Sequence, residues 1–176
     1  MARGIPGTGG DDRILIPSTA GAGTDAFGRG GNDRIETGAG DDILTGGTGN
    51  DLLLGHGGGD TNFFAPGDGQ DTIEDVSENS GTAPDRLRFG AGIAPEDIRA
   101  LSVGPADLVL GVAGSEDRVT LRNFFAASPR DTRIEEIAFA DGTRAGPPGP
   151  RAPARCRRRS ARSGAGRPCR RPPVPG

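Results

Sequence analysis

The chain has no lysine, tryptophan or tyrosine, and only one histidine and two cysteines in 176 residues. Each absence removes a class of protein. Both cysteines, Cys156 and Cys169, fall near the C-terminus, so no disulfide framework holds the preceding body, and two thiols make half of a zinc set. The lone His56 leaves the serines without a plausible catalytic partner. The longest aliphatic runs, 14–16 and 52–54, are far below the roughly 20 residues a membrane helix needs, which predicts no membrane insertion. The first twenty residues hold no apolar stretch long enough for a cleavable signal peptide, so none is expected. With hydrophobic residues at 32%, an ordinary two-layer core is hard to build, and another source of stability is required.

What is abundant is glycine, 32 residues, and it is periodic. Residues 28–54 read GRGGNDRIE, TGAGDDILT and GGTGNDLLL, each with aspartate in the sixth place (Asp33, Asp42, Asp51) and an aliphatic in the eighth (Ile35, Leu44, Leu53). A fourth unit, GHGGGDTNF, reaches Asp60 but has Asn62 where the aliphatic belongs, and a further copy, PGDGQDTIE, carries Asp71 and Ile73 after two extra residues. Degenerate copies precede them, GTGGDDRIL with Asp12 and Ile14, and GAGTDAF with Asp25 and Phe27 as its markers.

Alternate glycines allow positive φ and tight turns whose carbonyls converge. The three residues that follow make a short extended segment with its middle side chain on the opposite face from its neighbours. Two such segments facing each other across a flattened coil predict a solenoid with a thin aliphatic core, two units per turn.

These units resemble the repeats-in-toxin (haemolysin-type) family, whose repeat signature is G-G-x-G-x-D-x-U-x. The resemblance implies a parallel β-roll that binds Ca2+ between units two apart. One site would then use carbonyls of Arg29 and Gly31 with Asp33, facing Gly46, Thr48 and Asp51. A second would use Gly38, Gly40 and Asp42 against Gly55, Gly57 and Asp60. A third would join Gly47, Gly49 and Asp51 to Pro66, Asp68 and Asp71. Six oxygens including two carboxylates suit calcium better than magnesium. Without ions the stacked aspartates repel and the thin core does not offset chain entropy, so folding is expected to be coupled to calcium. His56, in a variable place of its unit, is expected to be structural or solvent-facing.

From Asp85 the pattern becomes plain strand alternation, as in Arg86–Phe89 and Val119–Arg122, with Asp141-Gly142 as a hairpin signal and Pro95 ahead of two acids as one helical turn. The phrases DRLRFGAGIAPEDI, DLVLGV, DRVTLRNFF and RIEEIAFADGT resemble the haemolysin-type calcium-binding-related domain. Its expected role is to cap the open end of the roll, with Phe63, Phe64, Phe89, Phe124, Phe125 and Phe139 as core.

All 24 acidic residues precede residue 144, whereas residues 144–176 are almost wholly Arg, Pro, Gly and Ala and predict disorder. That composition fits an out-of-frame translation, a genuine disordered tail or an anion-binding arm; the lack of interleaved aromatics argues against specific nucleic-acid recognition. The fold expected is all-β: a parallel β-roll over 1–75, a β-strand cap over 76–143 and a disordered tail over 144–176. The function expected is non-enzymatic calcium binding by an extracellular stability or secretion module, or the remnant of a larger exoprotein. An adhesin with a surface or polysaccharide partner, and the non-catalytic C-terminal piece of an exported protease or lipase, are the alternatives. The family resemblance implies a type I exporter, which reads an acidic or neutral C-terminal signal unlike this Arg-rich tail.

Overall fold

A three-residue strand cannot stand alone, and here each one is placed by stacking on copies of itself. The computed structural model describes residues 3–17, 23–75, 83–126 and 134–146; the tail beyond, with Cys156 and Cys169, lies outside the described residues. Strands β1 (Arg3–Pro6), β2 (Arg13–Leu15), β3 (Thr24–Gly30), β4 (Arg34–Glu36), β5 (Ile43–Thr48) and β6 (Leu52–Leu54) begin the coil. It continues through β7 (Thr61–Phe64), β8 (Gln70–Ile73) and β9 (Arg86–Phe89) to a 3₁₀ turn at Pro95–Asp97. Then follow β10 (Ile98–Val103), β11 (Asp107–Val112), β12 (Arg118–Leu121), β13 (Glu136–Ala138) and β14 (Arg144–Ala145).

Alternate strands fall into two seven-stranded sheets, β1-β3-β5-β7-β9-β13-β14 and β2-β4-β6-β8-β12-β11-β10. Pairing is parallel from β1 to β13 in the first and from β2 to β12 in the second. The last pairings, β13 with β14 and β12 with β11 and β10, are antiparallel. The protein is thus an all-β parallel solenoid, closed at its C-terminal end by hairpins.

Between the sheets the core is two facing columns of single side chains. One runs Ile14, Ile35, Leu53, Ile73, Leu121 and Leu108; the other runs Ala26, Leu44, Asn62, Leu87 and Ile137. The neighbours of the core side chains mostly point to the other face, as the strand period requires, and include the exposed apolar Leu15 and Ile43; Leu54, beside Leu53, is buried. Beside the second column, Phe64 packs edge-on against Phe89, centroids 6.0 Å apart, and Phe89 stacks on Phe139 at 5.3 Å. Phe124 is also buried, Phe125 packs partly against the core, and Phe63 is only half-buried.

One reading of the repeat is corrected. In the copy at residues 21–27, Ala26 pairs with Leu44 and fills the core, while Phe27 stands 37% exposed. The markers are therefore one residue earlier than Asp25 and Phe27, because the register of the neighbouring turn, not the local spelling, sets which side chain points inward. Asn62 does not interrupt the roll. It is fully buried in the column between Leu44 and Leu87, and the parallel ladders run on through β9, β12 and β13, past residue 75.

Candidate metal centre

The turns joining the two sheets are built from residues held at positive φ in alternate places. On one edge these are Arg29 (85°) and Gly31 (102°), Gly47 (95°) and Gly49 (138°), and Gly67 (89°) and Gly69 (98°). A Cβ on Gly47 would strike the Arg29 carbonyl oxygen, and one on Gly49 that of Gly31. Glycine is required there on two counts, conformation and close approach. A second glycine role is regular too. A Cβ on Gly28, Gly46 or Gly55 would collide with Oδ2 of the aspartate five residues on, Asp33, Asp51 or Asp60. In these three units the first place is kept empty for a carboxylate oxygen, whereas Thr37 and Pro66 fill it in the units of Asp42 and Asp71.

The aspartates form two ladders, one on each edge. Along the first, Asp12 N–H donates to Asp33 Oδ1 (2.8 Å), Asp33 N–H to Asp51 Oδ1 (2.7 Å) and Asp51 N–H to Asp71 Oδ1 (3.0 Å). Along the second, Thr24 N–H donates to Asp42 Oδ1 (2.6 Å), Asp42 N–H to Asp60 Oδ1 (2.9 Å), Asp60 N–H to Asp85 Oδ1 (2.8 Å) and Asp85 N–H to Glu135 Oε2 (2.7 Å). One oxygen of each repeat aspartate therefore fixes the preceding turn. The other, Oδ2 of Asp33, Asp42, Asp51, Asp60 and Asp71, is buried without a hydrogen-bond partner.

Native interiors seldom leave such atoms unpaired, because each forfeits its hydration for nothing. The electrostatics agree. Burial is the main cause raising the carboxyls of Asp33, Asp42 and Asp68, and it pushes Asp51 up to about 6 and Asp60 and Asp71 up to about 8. Charges of ladder neighbours push the same way for Asp51, Asp60 and Asp71. Rows of buried oxygens, all of them hard donors, fit a hard cation such as calcium. The set lacks the thiolate and imidazole ligands that transition metals favour.

The fold brings the expected ligand residues side by side. Gly31 N–H donates to the Thr48 carbonyl (3.0 Å) and Arg29 pairs with Gly47. On the other edge Gly40 N–H donates to the Gly57 carbonyl (2.7 Å) and Gly57 N–H to that of Gly38 (3.3 Å). Gly49 N–H donates to the Asp68 carbonyl (2.8 Å), and the Asp68 carboxylate, itself buried, accepts from Ala65 N–H (2.7 Å). Pro66 lies at an exposed turn. His56, at φ 63°, sets Nε2 3.2 Å from Glu36 Oε1 and stays outside both ladders.

Asp75, Asp85 and Glu135 were not foreseen as part of the acidic edge. A signal existed for Asp85, since Asp85-Arg86-Leu87 repeats the spelling of Asp33-Arg34-Ile35. No such signal marks Asp75, whose burial and proximity to Asp85 and Asp60 raise its carboxyl strongly.

Two family models match. The RTX calcium-binding nonapeptide repeat (4 copies) matches residues 27–61, and the haemolysin-type calcium binding protein related domain matches residues 107–144. Among curated proteins none matches. Among the described residues no helix is long and apolar enough to cross a membrane.

Proposed function

We propose that this chain is a calcium-binding β-roll whose folding is driven by calcium binding along its two edges; its matches to the RTX calcium-binding nonapeptide repeat and to the haemolysin-type calcium binding protein related domain support the reading. The observation that carries this reading is the set of five buried, unpartnered Oδ2 atoms, three of which lie against Gly28, Gly46 and Gly55.

The residues assigned to hold the ions are those of the two edges. Arg29, Gly31, Asp33, Gly46, Thr48 and Asp51 form one set, and Gly47, Gly49, Asp51, Pro66, Asp68 and Asp71 continue it along the same edge. Gly38, Gly40, Asp42, Gly55, Gly57 and Asp60 form the set on the other. Backbone carbonyls supply neutral oxygens, and the aspartates supply both charge and the link between turns. A bound calcium supplies the positive charge that lets the buried carboxylates remain ionised side by side. The role proposed for the module is extracellular, as a stability or secretion element that stays open where calcium is scarce and closes where it is plentiful.

Far-ultraviolet circular dichroism of the full chain tests this. The β signal should rise on adding calcium and disappear on chelation; a spectrum indifferent to both would overturn the reading.

A further inference from the structure

Where the repeats end, the second acidic edge changes its construction. In the regular turn, β6 leads into Gly55, a run with four glycines in five residues, and then Asp60. One turn on, β8 pairs in parallel with β6, Leu53 beside Ile73, which puts Asp75 in the column of Gly55. The chain from Asp75 to Asp85 contains one glycine, Gly81, so the alternating glycines that present carbonyls are missing from the sequence here. Within the repeats this column holds the uncharged Thr37 and Gly55, whereas here it holds a carboxylate.

We propose that Asp60, Asp75 and Asp85 form a separate calcium site, at the junction between the repeats and the C-terminal strands, held by three carboxylates. One oxygen from each of the three comes within 4.8 Å of the other two. Their exposures are 0%, 4% and 4%. Neither carboxylate oxygen of Asp75 has a hydrogen-bond partner, nor has Oδ2 of Asp60. Oδ1 of Asp60 and Oδ1 of Asp85 are already taken by the amides of Asp42 and Asp60, which fixes both carboxylates in the ladder. Asp75 has no such amide to hold, so the ladder does not account for it.

An apolar or glycine residue at 75 would serve a purely structural turn better, since a buried unpaired carboxylate destabilises. Three carboxylates outweigh the charge of one divalent ion, so the site selects hard cations of high charge and accepts trivalent lanthanides. The ion would join the last regular repeat, through Asp60, to the strand that follows Asp85, and so couple the repeats to the C-terminal strands.

The proposal rests on the calcium-binding reading and is tested beside it. Bound calcium is counted by calorimetry on the full chain and on Asp75→Asn. The variant should lose one equivalent and keep the remainder. If the native chain binds calcium and Asp75→Asn binds the same number with the same affinity, the junction site is wrong while the edge sites stand. If the native chain binds none, both readings fail. Should Asp75→Asn not fold, crystals of the native protein grown with terbium decide the matter. An anomalous peak among the three carboxylates supports the site, and peaks confined to the glycine edges overturn it.

Discussion

The amide of Asp33 donates to Oδ1 of Asp51 at 2.7 Å, although 18 residues separate them. One carboxylate thereby does two jobs: Oδ1 sets the register of the adjacent turn, and Oδ2 is left buried and unpaired. The same division recurs at Asp42 with Asp60 and at Asp51 with Asp71. The repeat unit is accordingly a coupling device as well as the proposed ligand donor.

Removing Asp51 should damage both functions. Asp51→Ala leaves the Asp33 amide without its acceptor, a cost of about 1–3 kcal/mol, and takes a shared carboxylate from the first edge. Thermal unfolding in excess calcium should show that loss, and calorimetry should show fewer bound ions. Unchanged stoichiometry would mean that Asp51 is not a ligand.

Glycines of the same edges should differ sharply. Gly47 has φ 95° and its Cβ would meet the Arg29 carbonyl, so Gly47→Ala should cost at least about 1–2 kcal/mol. Gly57 has open space at its Cβ and no positive φ, so Gly57→Ala should stay within about 0.5 kcal/mol. Denaturant midpoints in calcium measure both. Equal effects would refute the close-packing argument.

Asn62 is a defect in the core column. Its Oδ1 and Nδ2 are buried and unpaired between Leu44 and Leu87. Asn62→Leu, close in volume, should stabilise the calcium-loaded protein by about 1–3 kcal/mol. A destabilised variant would show that the amide has a partner or a role in the folded protein.

The pH response should depend on calcium. Asp51 lies near 6 and Asp60 and Asp71 near 8 in the folded chain, all above their value of about 4 when unfolded. The ion-free fold therefore holds more protons than the unfolded chain between about pH 4 and 8. Its stability is full below that window and is lost as pH rises through it. In chelator, β structure measured by circular dichroism should be greater at about pH 5 than at about pH 8. Calcium reverses the trend, because ligands must be deprotonated, and binding near neutrality should release protons in a weakly buffered calorimeter.

Much of the roll was legible because its physics is local and repeated. Turn-forming glycines, one carboxylate and one aliphatic at fixed places identify Asp33, Asp42, Asp51 and Asp60 without any tertiary knowledge. Legibility failed where the spelling is ambiguous over a few residues. GAGTDAF reads naturally with Phe27 inward, yet Ala26 occupies the core. Asp85-Arg86-Leu87 and Asp117-Arg118-Val119 are spelled alike, but only the first joins a ladder. Val119 pairs with Asp71, so it takes the acidic column's place, and Asp117 instead accepts from the amide of Gly67 (2.9 Å).

The sequence by itself determined the period, the all-β class and the chemistry of the edges, since each follows from residue type at nine-residue spacing. Tertiary structure alone decided the register and the reach of the ladders. A strand of three or four residues carries too little information to fix which face points inward, so its neighbours in the stack fix it. For the same reason Asp75 became visible only when β8 was laid beside β6, which set its carboxylate between Asp60 and Asp85.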